Sequence, residues 1–197
     1  SAVATTVNSS YREREISNQL NDSGTTVLVV HQSLFQRAEN AMEAIPILNR
    51  LIVIGAIHDA QESFLELVTQ AQATLPRLLL DSKQDLAALP YSSGTTGISK
   101  GVMLTHFNLA SNVREFIGRT DEAATIKEDD VGLVHLPLSH IYGLNILMNG
   151  CIGAGATQVL MGRFEIEVFL RVISRQRLTI LFTVPPVGVE LTHYAGI

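Results

Sequence analysis

Short strand-like runs separated by longer segments of helical periodicity constrain this chain more than any other feature. The runs are residues 25–31 (TTVLVVH), 50–55 (RLIVIG), 86–91 (LAALPY), 131–137 (VGLVHLP), 157–161 (TQVLM) and 178–186 (LTILFTVPP). Between them lie segments with helical spacing: residues 33–45, 59–74, 106–118, an apolar 141–155, and 165–177. Short continuous apolar runs of this kind read as buried strands. Strands that alternate with helices build βαβ units, so the expected class is α/β with a largely parallel sheet covered on both faces. A further helix is expected to open at Ser10, with Glu13 three residues on as a capping box and Ile16 and Leu20 as its apolar face, and to end at Gly24. Phe64, Leu65 and Val68 form the expected apolar stripe of the segment 59–74. Residues 119–130 (RTDEAATIKEDD) read as a solvated loop.

Composition removes several function classes. Hydrophobic residues make up 46% and charged residues 17% of the 197, enough apolar material for a packed core and too little charge for disorder. The net charge is −5 and no basic cluster occurs, which argues against a nucleic-acid partner. Cys151 is the only cysteine, so no internal disulfide forms, and without a C-x-x-C pair a structural zinc site is not expected. No apolar run reaches the ~18 residues of a membrane span. The residues SAVATTVNSS lack the charged front and apolar stretch of a signal peptide, and the expected location is the cytoplasm.

Residues 91–101 (YSSGTTGISKG) stand apart in this apolar chain. Gly94, Gly97 and Gly101 allow the backbone to turn several N–H groups toward one point, since glycine adopts positive φ without the cost other residues bear. Such a concavity attracts anions. Ser92, Ser93, Thr95 and Thr96 add hydroxyl donors, and Lys100 adds a positive charge that can reach a phosphate oxygen. Two nucleotide loops are excluded. A P-loop needs Gly-Lys-Ser/Thr, whereas Ser99 precedes Lys100 and Gly101 follows it. The dinucleotide fingerprint fails at Gln158, where its last glycine belongs. On composition alone, a plain surface loop is the alternative.

The order of residues points further. The segment YSSGTTGISKGVMLTH resembles the phosphate-binding signature of adenylate-forming enzymes, whose pattern is [ST]-[SG]-G-[ST]-[ST]-G-x-P-K-G, with Ser99 in place of the proline. Downstream, LPLSHIYGLN resembles the family's His-x-Tyr-Gly segment, and the flanking sequence is similar nearly throughout, nearest to the 4-coumarate–CoA ligase and luciferase branch. The resemblance implies part of the large N-terminal domain of such an enzyme. Residues 1–90 would be its first α/β part, 91–101 the phosphate loop, 102–164 the acyl-pocket side and 165–197 the start of the acyl-binding part. It implies that Ser92, Ser93, Gly94, Thr95, Thr96, Gly97 and Lys100 grip the phosphates of ATP. His140 would be the catalytic residue near the acyl carboxylate and thiol channel, Tyr142 a contact of the acyl-adenylate, and Arg163 a contact of CoA. His31, His58, His106, His135 and His193 read as structural.

The implied reaction joins a small-molecule carboxylate to ATP, releases pyrophosphate, and transfers the acyl group to CoA. The family's Tyr-Gly-x-Thr-Glu segment, which supplies a glutamate for Mg2+, its Thr-Gly-Asp segment, and its C-terminal domain with the catalytic lysine do not occur among these residues. No metal ligand is therefore assigned here, and a piece of a ligase that is inactive alone, with exposed strand edges and a tendency to self-associate, is expected. A non-catalytic nucleotide- or acyl-binding module and a luciferase-like or carrier-protein-charging enzyme are the competing readings.

Overall fold

A computed structural model describes residues 2–56, 62–70, 74, 77–93, 99–118 and 125–194. It is mixed α/β with parallel strands and divides into two units, Ser1–Met103 and Leu104–Ile197.

In the first unit, helix α1 (Glu13–Asp22) leads to β1 (Val27–His31), a 3-10 turn (Gln32–Leu34), α2 (Phe35–Met42), β2 (Arg50–Ile54), β3 (Glu62–Ser63) and α3 (Phe64–Gln70). Then follow the short strands β4 (Leu86–Ala88), β5 (Tyr91–Ser93) and β6 (Ser99–Gly101). Strands β1, β2 and β3 pair in parallel in that order; the β1–β2 pairing across α2 follows from the alternating pattern, and β3 is an addition to it. The Arg50 guanidinium and Glu62 carboxylate form a two-pronged pair across β2 and β3, at 3.0 and 2.6 Å. Helix α1 buries Ile16 and Leu20 against Ala41, Ile45 and Leu48, and α2 lays Ala38 on Val30 and Val53 of the sheet. Past Asp22 the chain turns at Gly24, whose φ of +64° is the left-handed conformation glycine adopts freely.

Three expectations for this unit are corrected. Helix α1 starts at Glu13, where the Glu15 carboxylate accepts from the Arg12 N–H at 2.8 Å. Ser10 instead donates its N–H and hydroxyl to the Asn8 side chain at 3.0 and 2.8 Å, a local turn that competes with capping. Strand β1 is buried on one face only. Leu28 and Val30 point to the α2 side, while Val27 and Val29, with Ile54 of β2, are exposed on the other. In the segment 59–74, Glu62–Ser63 pairs as a strand before the helix begins, and Phe64, Leu65 and Val68 all stay exposed, Leu65 at 69%. Their helical spacing meets no covering element among the described residues.

The second unit opens with β7 (Leu104–Thr105) and α4 (His106–Ile117). The Thr105 hydroxyl and Asn108 amide form a reciprocal capping box at the start of α4, and Gly118 ends it. Strand β8 (Val131–Val134) pairs in parallel with β9 (Thr157–Leu160). The crossover between them is a π-helix (Tyr142–Asn149) that runs into α5 (Gly150–Ala154). Helices α6 (Ile166–Gln176) and α7 (Pro185–His193) follow. The core here is Leu133, Phe169 and Val187, with Val159, Phe164 and Leu191 around it. The run 178–186 is reduced to a single parallel bridge between Ile180 and Gly132, because Pro185 and Pro186 open α7 instead. Proline fits there because the first turn has no use for its missing N–H. The expected solvated loop 119–130 also holds a core residue: Ile126 is 1% exposed. Among the described residues, no helix is long and apolar enough to cross a membrane.

His135 is the buried titratable group of this core. Its ring stands edge-on to Phe169 at 5.2 Å and near Phe164 at 6.3 Å. One ring nitrogen lies 3.1 Å from the Thr183 hydroxyl and the other 3.4 Å from the Leu133 carbonyl. Burial lowers its pKa below the usual 6.5. The unfolded chain then takes up a proton near pH 6.5 that the folded chain refuses, so stability falls as pH drops below that point. Urea midpoints between pH 7.5 and 5.5 should therefore decrease, and His135→Phe should flatten the dependence; an unchanged slope in the variant would exclude His135 as its source.

Candidate functional site

Strands β5 and β6 form an antiparallel pair that flanks residues 94–98. Tyr91 lies opposite Gly101, Ser92 opposite Lys100 and Ser93 opposite Ser99. The Val102 N–H donates to the Pro90 carbonyl at 2.9 Å, so 90 and 102 are a hydrogen-bonded pair. Bonded and non-bonded pairs alternate along an antiparallel ladder. Ser92 with Lys100 is thus the next bonded pair, and Ser93 with Ser99 a non-bonded one. Both Ser92 and Lys100 are exposed, and strand pairing sets their Cα atoms about 5.5 Å apart. Gly94, Thr95, Thr96 and Gly97 lie outside the described residues.

Two side chains brace this neck. The Ser99 hydroxyl donates to the Ser92 carbonyl at 2.9 Å. The Tyr91 hydroxyl donates to the Asp22 carboxylate, the last residue of α1, at 2.5 Å. Burial and then the bond to that carboxylate push the Tyr91 phenol well above its ordinary range, so it stays a donor. The Tyr91 ring also lies flush with the backbone opposite it: a Cβ added to Gly101 would stand 3.1 Å from the ring.

The other candidates belong to the second unit. His140 and Tyr142 sit at the turn into the π-helix. The His140 N–H donates to the Pro137 carbonyl at 3.0 Å, and the Tyr142 N–H donates to His140 Nδ1 at 3.1 Å. The neutral ring must then carry its hydrogen on Nε2, which makes the exposed edge of His140 a donor. Burial raises the pKa of the half-buried Tyr142 phenol, keeping it protonated at neutral pH. Arg163 occupies the exposed turn between β9 and α6 and has no hydrogen-bond or ion-pair partner among the described residues. The structure thus gathers Ser92 with Lys100, and His140 with Tyr142, and holds Arg163 apart from the latter pair's hydrogen bonds.

Sequence reasoning missed the supports. Asn145 is 3% exposed, donates to the Asn112 side chain at 2.8 Å, and accepts from Asn149 at 3.0 Å. This amide chain joins α4 to the π-helix, a rare form concentrated at functional sites. An asparagine inside the apolar run 141–155, with a second four residues later, was its available signal. The Asp22 partner of Tyr91, 69 residues away, left none.

A family profile described as "AMP-binding enzyme" matches residues 1–196. The 4-coumarate-CoA ligase 1 of Narcissus pseudonarcissus is 38% identical over 196 residues, covering 96% of this chain and 34% of that protein. Among solved structures, a long-chain-fatty-acid-CoA ligase (FadD1) from Archaeoglobus fulgidus superposes with a TM-score of 0.83 and 30% identity, over 94% of this chain and 35% of that one. ATP-bound MatB from Rhodopseudomonas palustris gives a TM-score of 0.78 and 26% identity, over 98% and 36%. The chain spans about a third of the length of the curated relatives it matches.

Proposed function

The chain belongs to the AMP-binding enzyme family, and from that membership we propose that it supplies the polyphosphate-gripping loop and one wall of the acyl pocket of an ATP-dependent carboxylate–CoA ligase of the 4-coumarate–CoA ligase kind. The observation that carries this reading is the β5–β6 register, which sets Ser92 and Lys100 opposite each other at the two ends of residues 94–98. An exposed hydroxyl beside an exposed ammonium, on neighbouring strands, is a donor set that suits phosphate oxygens. The identity to a 4-coumarate-CoA ligase favours an aromatic carboxylate as substrate.

ATP supplies an activated phosphorus at which the carboxylate displaces pyrophosphate. Ser92, Ser93, Gly94, Thr95, Thr96, Gly97 and Lys100 hold the departing phosphates, and Lys100 offsets the negative charge that grows there. The His140 Nε2–H and the Tyr142 hydroxyl, both donors, orient the acyl carboxylate and later the carbonyl oxygen that CoA sulfur attacks. Arg163, which has no partner among the described residues, offers its cation to the phosphates of CoA. These groups position and stabilise charge; none acts as a nucleophile.

The test is carboxylate-dependent ATP–pyrophosphate exchange by the intact gene product, followed by thioester formation on adding CoA. Exchange with 4-coumarate that yields a CoA thioester is the expected result. Absence of exchange with both aromatic and fatty acids would overturn the enzyme reading in favour of a non-catalytic binding module. Adenylate formation without a CoA thioester would favour the carrier-protein or luciferase-like alternative.

A further inference from the structure

The bond across the neck of the loop has a consequence at Ser99. The signature that residues 91–106 resemble has proline at this position, whose ring fixes φ near −65° and removes the N–H. Serine leaves φ free, yet Ser99 carries what proline cannot: a hydroxyl donating to the Ser92 carbonyl at 2.9 Å. That carbonyl belongs to the hydrogen-bonded pair Ser92–Lys100. One oxygen therefore receives the ladder bond and the Ser99 hydroxyl, and both strands are held where they leave for residues 94–98.

We propose that Ser99 is a positioning residue, its side-chain hydrogen bond to the Ser92 carbonyl replacing the restraint of proline and fixing the spacing of Ser92 and Lys100 for a polyphosphate. This rests on the proposed function, since it names what keeps that site in shape. The register supports the exchange of one device for the other. Ser99 faces Ser93 in a non-bonded pair, so its N–H is not spent on the ladder and proline would cost no strand bond there. The two solutions are chemically distinct. One acts through a fixed backbone angle and the other through a cross-strand bond, and either leaves the Lys100 ammonium at the same register.

The experiment measures ATP KM and kcat in pyrophosphate exchange, with thermal midpoints, for the intact gene product and four variants. Ser99→Ala removes the bond and should raise ATP KM about 3- to 10-fold, the worth of one neutral hydrogen bond, with kcat within about twofold. Ser99→Thr keeps the hydroxyl and Ser99→Pro restores the restraint by the other route; both should return KM to within about twofold of the parent. Lys100→Ala reports on the site itself. If Lys100→Ala abolishes exchange while Ser99→Ala matches the parent, the Ser99 inference fails and the loop reading stands. If Lys100→Ala leaves exchange intact, no phosphate is held there and both fail. If Ser99→Ala lowers kcat and thermal midpoint together and Ser99→Pro does not rescue KM, Ser99 is merely structural and the inference is overturned.

Discussion

Lys100→Ala is expected to lower carboxylate-dependent pyrophosphate exchange by about 10²- to 10³-fold, the range seen when one preorganised donor to a developing oxyanion is removed. Lys100 is exposed on β6, directly across from Ser92. Its ammonium is a compact charge with three donors, and charge on the departing pyrophosphate is larger in the transition state than in bound ATP. The loss should therefore fall mostly on kcat, unlike that of Ser99→Ala. Folding should be little affected, because an exposed lysine substitution alters stability by about 0.5 kcal/mol or less. Lys100→Arg keeps the charge but spreads it over a planar fork, so it should recover only part of the activity. A Lys100→Ala enzyme that exchanges pyrophosphate within threefold of the parent would remove the loop from the chemistry.

Features set by neighbouring residues were the ones legible in the sequence. The capping pair Thr105–Asn108 and the stop at Gly118 bound α4 where the pattern 106–118 places it, because caps act within one turn. The parallel pairing of β1 with β2, and of β8 with β9, follows from the alternation of strands and helices. Apart from the start of α1, where the neighbouring Asn8 takes the Ser10 donors, what failed depends on distant partners. Val27 and Val29 have the β-branched character of a doubly buried strand, but burial is decided by what covers the sheet, and here α2 covers one face. Ile126 sits among charges in sequence yet is packed beneath Gly150, whose own added Cβ would meet it at 2.9 Å. In the candidate site, the residue types around 91–101 are the basis of the proposed anion site, since glycine backbone, hydroxyls and a lysine ammonium carry their chemistry locally. The Asp22–Tyr91 bond in the first unit and, separately, the Asn112–Asn145 bond beside the π-helix of the second join segments far apart in sequence and leave no periodic trace.

Gly143→Ala should destabilise the protein by about 2–3 kcal/mol, at the upper end of what overpacking costs. A Cβ there would lie 2.4 Å from the Pro137 carbonyl oxygen, 2.9 Å from its carbon and 3.0 Å from the Leu136 oxygen. All three are backbone atoms, so no rotamer change relieves the clash; the strand exit or the π-helix must shift. The same Pro137 oxygen accepts the His140 N–H. A shift large enough to admit one methyl group therefore displaces the bond that orients His140, and with it the Tyr142 N–H on Nδ1. The thermal midpoint should fall by roughly 8–15 °C if this unit melts as a small domain, and thioester formation should fall more than ATP binding. Gly188→Ala is the matched control: it lies within α7 and its added Cβ meets nothing within 4 Å. Alanine there gains helix propensity, so that variant should be neutral or up to about 1 kcal/mol more stable. Equal midpoints for the two variants would mean the helix does not approach the 136–137 backbone closely enough for glycine to be required, and the link from Gly143 through Pro137 to His140 would be lost with it.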